Sequence, residues 1–164
     1  MKNPKYGQDI ATIIAKVEHM NMMSPKPCPG DTATARQLFE LATQFHRGAE
    51  ALFADKAHAV PSRLLALQAI EGYLIAFVRH VGRTNDEVRL TNHDVVRLAD
   101  IGADNGLALR SRLHGHLVKI TKNREYLIVR YGPEVTGLTS QTTELQATMN
   151  ELSAKVGAAI GVKP

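Results

Sequence analysis

The chain has 164 residues, 44% of them apolar and 22% charged, a length and balance that suit one globular domain with a real hydrophobic core. A formal net charge of +4 is compatible with nucleotide or RNA phosphates, but aromatic residues make up only 5% and Trp is absent, which argues against a stacking platform for single-stranded nucleic acid. Cys28 is the one cysteine, excluding an intrachain disulfide and a cysteine-only zinc site and pointing to a reducing, cytoplasmic setting; no apolar run reaches transmembrane length, so no membrane association is expected.

Ile10, Ile13, Ile14 and Val17 recur at helical spacing and predict a short amphipathic helix over residues 8–20. An early acid and a short apolar stretch make a secretory signal unexpected there. Pro25, Pro27 and Pro29 then mark a linker, because each proline removes a donor and restricts the backbone. The expected organisation is therefore an N-terminal helical extension over 1–30 and a bundle over 31–164.

Asp31 or Thr32 can cap a helix running to about His58, with Leu38, Phe39, Leu41, Phe45, Leu52 and Phe53 as its stripe. Pro61 suits the first residue of the next helix, where its missing N–H is not needed, and that helix runs to about Val81. That helix is apolar around most of its circumference and is expected at the centre. Gly82 to Asn85 stops it. A short helix follows from His93 to Asp104, with Asn92 as its cap. Leu107, Leu109, Leu113, Leu117 and Ile120 mark another, Asn123 to Tyr131 a further segment, and about Ser140 to Ile160 the last. With no strand alternation and no repeat, the fold class is all-α, an up-and-down helical bundle.

Three residue groups carry a resemblance. Ala69-Ile70-Glu71-Gly72-Tyr73-Leu74 is similar to an Ala-x-Glu-x-x-Leu central helix. Asn92-His93-Asp94-Val95, with Leu98 three residues on, is similar to a Gly-His-Asp-Leu-x-x-Leu helix start. Tyr126 with Arg130-Tyr131-Gly132-Pro133 is similar to a Tyr…Arg-Tyr-Pro segment before a long final helix. In this order the motifs resemble the HEPN superfamily of helical bundles, over about residues 32–160. One departure is Ile75-Ala76, where the family often has Lys-Ala.

The resemblance implies one of two activities. Many members cut RNA with an Arg and a His four to six residues apart, in the segment matching Asn123–Tyr131. Here Arg124 could stand for the Arg, but the His would fall at Val129, Arg130 or Tyr131, and no His follows His116. Members without that pair bind nucleotides or assist a partner, and this chain resembles them. The expected function is non-catalytic: nucleotide or RNA binding, or an accessory role in a toxin–antitoxin or defence system. Implied partners are a second copy of the chain in a homodimer and a partner protein such as a nucleotidyltransferase, with no cofactor.

The candidate binding residues are Glu71, His93, Arg124, Arg130 and Tyr131. Guanidinium forks suit phosphates, and Glu71 and His93 would orient them. Each also has a plainer reading. Glu71 would be costly to bury unpaired and can belong to a structural ion pair or a solvated edge. Asp94 near a helix start is explained by capping and the dipole. The arginines can be surface pairs.

A runner-up is a metal-independent ribonuclease using Arg110 and His116, whose spacing fits an acid/base His with a phosphate-clamping Arg. That segment lies one helix too early in the family order. His114 and His116 could share zinc only if the helix broke at Gly115, so no metal is expected. Leu145, Met149, Leu152 and Val156 form a seam that either closes the bundle or helps form a homodimer, which would unite two copies of the Arg124/Arg130 face; a third reading is a dimeric interaction protein with no ligand, whose polar residues serve packing alone.

Overall fold

The computed structural model describes residues 28–132, 134–135 and 137–162. The chain divides into two compact units, Met1–Thr32 and Ala33–Pro164. The expected helix over residues 8–20 lies outside the described residues. In the described end of the first unit, Asp31 accepts a hydrogen bond from the Cys28 N–H at 2.7 Å and so closes a turn.

The second unit is an all-α helical bundle. Among the described residues it contains α1 (Ala35–Leu52), a 3-10 turn (Lys56–His58), α2 (Ala59–His80), α3 (Asn85–Arg89), α4 (Val95–Asp104), α5 (Ser111–Asn123), α6 (Glu125–Tyr131) and α7 (Thr142–Ile160), with no strand.

Local chemistry sets the boundaries. Thr34, and not Asp31 or Thr32, caps α1: its hydroxyl accepts from the Gln37 N–H while the Gln37 side chain accepts from the Thr34 N–H. The helix stops at Leu52, short of His58, because Asp55 captures the Ala57 N–H and caps the 3-10 turn instead. Helix α2 begins at Ala59, two residues ahead of Pro61, which is its third residue and still lies in the first turn, where no N–H is needed. Gly82 (φ +91°) ends α2, with the Arg83 N–H returning to the Val78 carbonyl. The polar stretch after it holds a helix the pattern did not show. Thr84 and Glu87 form a second reciprocal cap, opening α3.

The cap of α4 is Asp94 rather than Asn92. The Asp94 carboxylate accepts from the N–H groups of Val96 and Arg97. Asn92 and His93 instead take left-handed backbone conformations (φ 52° and 64°). These two residue types tolerate that region better than most.

Helix α2 is the hub, packed by α1, α4, α6 and α7. Its buried residues Leu67, Ile70, Tyr73, Leu74, Phe77 and Val78 face all directions. Gly72 lies against Ala42 and Gly48 against Leu65, so α1 and α2 run antiparallel. Helices α5 and α7 are antiparallel too: Lys119 meets Glu144, and His116 meets Thr148. The seam residues Leu145, Met149, Leu152 and Val156 are all fully buried within the one chain. The seam therefore closes the bundle. No helix among the described residues is long and apolar enough to cross a membrane.

Candidate functional site

Glu71 projects from mid-α2 with its side chain 15% exposed. Its partner is His93, whose Nδ1 lies 2.9 Å from Glu71 Oε1. A carboxylate only accepts, so the proton is on Nδ1 and donates to Glu71. Nε2 is left as the other face of the ring. The left-handed backbone of His93 supplies the turn that swings the ring back onto α2.

The same ring packs against α6. The His93 and Tyr126 rings are 5.3 Å apart, tilted by 35°. The Arg130 guanidinium sits 6.0 Å over the Tyr126 ring, a cation–π distance. Tyr126 and Arg130 are four residues apart on one helix and so share a face. Carboxylate, imidazole, phenol and guanidinium thus follow one another across a half-exposed surface.

Of the five residues expected to line a site, Glu71 contacts His93, and His93 and Arg130 each contact Tyr126. The residue between them, Tyr126, belongs to the Tyr…Arg-Tyr-Pro segment and is not among the five. Its four-residue step to Arg130 is the signal in the sequence that places the two on one helix face. Tyr131 is 75% exposed and Arg124 is exposed as well. Among the described contacts, neither is tied to Glu71 or His93.

Arg124 has another distinction. It joins α5 to α6 in a left-handed conformation (φ 53°), the position glycine takes after α2, α4 and α7. A side chain there is strained by about 1 kcal/mol, while glycine's extra chain entropy offsets part of any relief. Arg124→Gly is expected to stabilise the fold by about 0.5 kcal/mol and to raise Tm by ~1–2 °C. A lower Tm in a melting curve would show that the Arg124 side chain itself stabilises the junction.

Asp94 is accounted for by structure alone. Besides capping α4 it accepts from the Thr121 hydroxyl on α5 at 3.3 Å.

No protein-family model matches the chain, and no curated protein or solved structure matches it at a significant level.

The runner-up pair lies on a different face. Arg110 and His116 both line a groove of about 640 Å³ between α5 and α7. His116 is only 8% exposed, and both its ring nitrogens are engaged. Nδ1 is 2.6 Å from the Thr148 hydroxyl and Nε2 is 2.8 Å from the Ser140 hydroxyl. Ser140 in turn donates its O–H to one oxygen of buried Glu125 and its N–H to the other, at 2.6 and 2.8 Å. With its proton directed at Glu125, the Ser140 oxygen is free to accept from His116. The ring is then neutral, with Nε2–H donating and Nδ1 accepting from Thr148. Burial, above all, lowers the pKa of His116 from the ordinary imidazole value, against an opposing pull from Glu144.

His114 does not join it. Its Nε2 lies 3.1 Å from Asp100. Among the described residues no three His, Cys, Asp or Glu side chains cluster so as to hold a metal ion.

Proposed function

We propose that this chain is a HEPN-like bundle that binds a nucleotide or RNA without cleaving it, acting as an accessory component of a toxin–antitoxin or defence type system. The observation that carries the reading is the row of contacts from Glu71 to His93, from His93 to Tyr126 and from Tyr126 to Arg130. Arg130 offers a fork of donors to a phosphate. Tyr126 and His93 offer ring edges and faces to a sugar or base. Glu71 holds a proton on His93 Nδ1 and so fixes the ring's orientation, with Nε2 turned to a ligand.

Two further points weigh against the ribonuclease alternative. His116 has no ring nitrogen uncommitted, and its depressed pKa opposes the protonated form that a general acid requires. The homodimer and the nucleotidyltransferase-type partner belong to the same proposal. A monomer mass by light scattering would remove the first.

Fluorescence anisotropy with short single-stranded RNA, run over a salt series in EDTA, tests the reading. Arg130→Ala is expected to weaken binding about tenfold and to reduce the salt slope by ~0.7, the share of one phosphate contact. His93→Ala is expected to weaken binding with the slope unchanged. Equal affinity of Arg130→Ala and the wild type would remove the site. RNA cleavage in the same EDTA buffer that disappears in His116→Ala would put the ribonuclease reading in its place.

A further inference from the structure

The groove between α5 and α7 has its own charge logic. On α5, Arg112, His116 and Lys119 fall at helical spacing on one face, with Arg110 at the helix start. On α7, Glu144, Thr148, Glu151 and Lys155 form the facing stripe. Four cations therefore line the groove with two carboxylates.

Both carboxylates are already matched. Glu144 is 2.7 Å from the Lys119 ammonium. That hydrogen bond and the Gln141 N–H hold its carboxyl below the usual carboxylate range, so it remains ionised against Lys119. Glu151 lies 3.4 Å from the Lys155 ammonium and accepts from the Arg110 backbone N–H. Among the described contacts, the Arg110 and Arg112 guanidiniums have no carboxylate partner. The net positive charge of the groove sits on these two forks.

The space between the stripes exists because small residues border it. A Cβ added at Gly115 would meet nothing within 4 Å, and Ala147 and Ala154 line the opposite wall. Thr148 and neutral His116 form a hydrogen-bonded floor, and the exposed Ala147 and Ala154 side chains are its apolar wall. A volume of about 640 Å³ is far more than a free phosphate fills. It falls within the roughly 300–1,000 Å³ typical of organic ligand clefts.

We infer that the α5–α7 groove is a second ligand site, which takes an organic phosphate of nucleotide size, with Arg110 and Arg112 clamping the phosphate and the Ala147 and Ala154 wall holding the organic part. The guanidinium pair matches phosphate oxygens bidentately. The site is separate from the Glu71–His93–Tyr126–Arg130 surface and does not depend on it. It uses Arg110 without any proton transfer by His116.

Isothermal titration of the full chain with ADP and ribose 5-phosphate, against inorganic phosphate and citrate, tests this. At least one organic phosphate is expected to bind more tightly than either control. Arg110→Ala/Arg112→Ala is expected to weaken it about tenfold or more, and Ala147→Trp, which fills the groove without altering charge, to abolish it. The titrations are repeated in the Arg130→Ala background, where the Tyr126 surface is weakened; the organic-phosphate binding that remains there is the groove's, and the groove variants are expected to remove it. Both arginines are exposed, so an unchanged melting curve is expected for the double variant. The inference is overturned if neither organic phosphate binds, if inorganic phosphate or citrate binds as tightly, or if the groove variants bind like the wild type. Loss in Arg130→Ala alone would assign the ligand to the other surface.

Discussion

Glu125→Ala is expected to destabilise the fold by about 3 kcal/mol and to lower Tm by ~6–12 °C, measured by chemical and thermal unfolding. Glu125 is 1% exposed and Ser140 is fully buried. Removing the carboxyl leaves the Ser140 N–H and O–H without acceptors in a space water does not reach. The vacancy also propagates. Once the Ser140 hydroxyl is no longer held by Glu125, it can turn its proton towards His116 Nε2, and the ring must then change tautomer or lose that bond. Thr148 faces the same choice at Nδ1. Glu125→Gln separates the two effects. Its amide oxygen keeps one acceptor for the Ser140 N–H, while its NH₂ meets the Ser140 oxygen as a donor. The loss should fall to ~1–2 kcal/mol. A loss below about 1 kcal/mol for the alanine variant would mean that water replaces the carboxyl, and that the network does not tie the start of α6 to the entry of α7.

That network shows where sequence reading stops. Helix existence is legible because period-3.6 apolar stripes report which faces meet a core. The central α2 is legible for the complementary reason, since it is apolar nearly all round. Caps are less legible. Asp31, Thr32 and Thr34 are all good N-cap residues, and Thr34 prevails because Gln37 lies three residues on to complete the reciprocal pair. Asn92 similarly looks like a cap, but the chain needs it in a left-handed turn, and Asp94 caps instead. Glu71 and His93 are 22 residues apart, and only the family motif order links them. Nothing links Glu125, Ser140, His116 and Thr148, whose contacts span 15, 24 and 32 residues. His116 therefore reads as a candidate catalyst in the sequence, where its spacing to Arg110 is visible and its buried partners are not.

The second large effect concerns the Ala69–Leu74 motif, in which each residue has a different neighbour. Ala69, Ile70 and Leu74 are fully buried, and Glu71 holds His93. The Tyr73 hydroxyl shares hydrogen bonds with His46 Nδ1 at 3.0 Å and Thr43 Oγ1 at 3.4 Å, and its ring lies 5.1 Å from Phe39. Gly72 is the point of closest approach to α1, because a Cβ placed there would sit 2.9 Å from the Ala42 Cβ. Neither neighbour is the far end of a flexible side chain, so relief requires the two helices to separate. Gly72→Val is accordingly expected to destabilise by about 3 kcal/mol through overpacking. Gly72→Ala should lose less, ~1 kcal/mol, since the helix propensity of alanine offsets part of the clash. The exchange variant Ala42→Gly/Gly72→Ala decides whether the approach itself is responsible. It returns a Cβ-free surface to one side of the crossing, so the pair should be more stable than the sum of the single losses by about 1 kcal/mol. Strict additivity in denaturant unfolding would mean that α1 and α2 separate freely at this point. A coupled pair would show that glycine beside Glu71 is fixed by the packing of α1 on α2 rather than by any need of the site next to it.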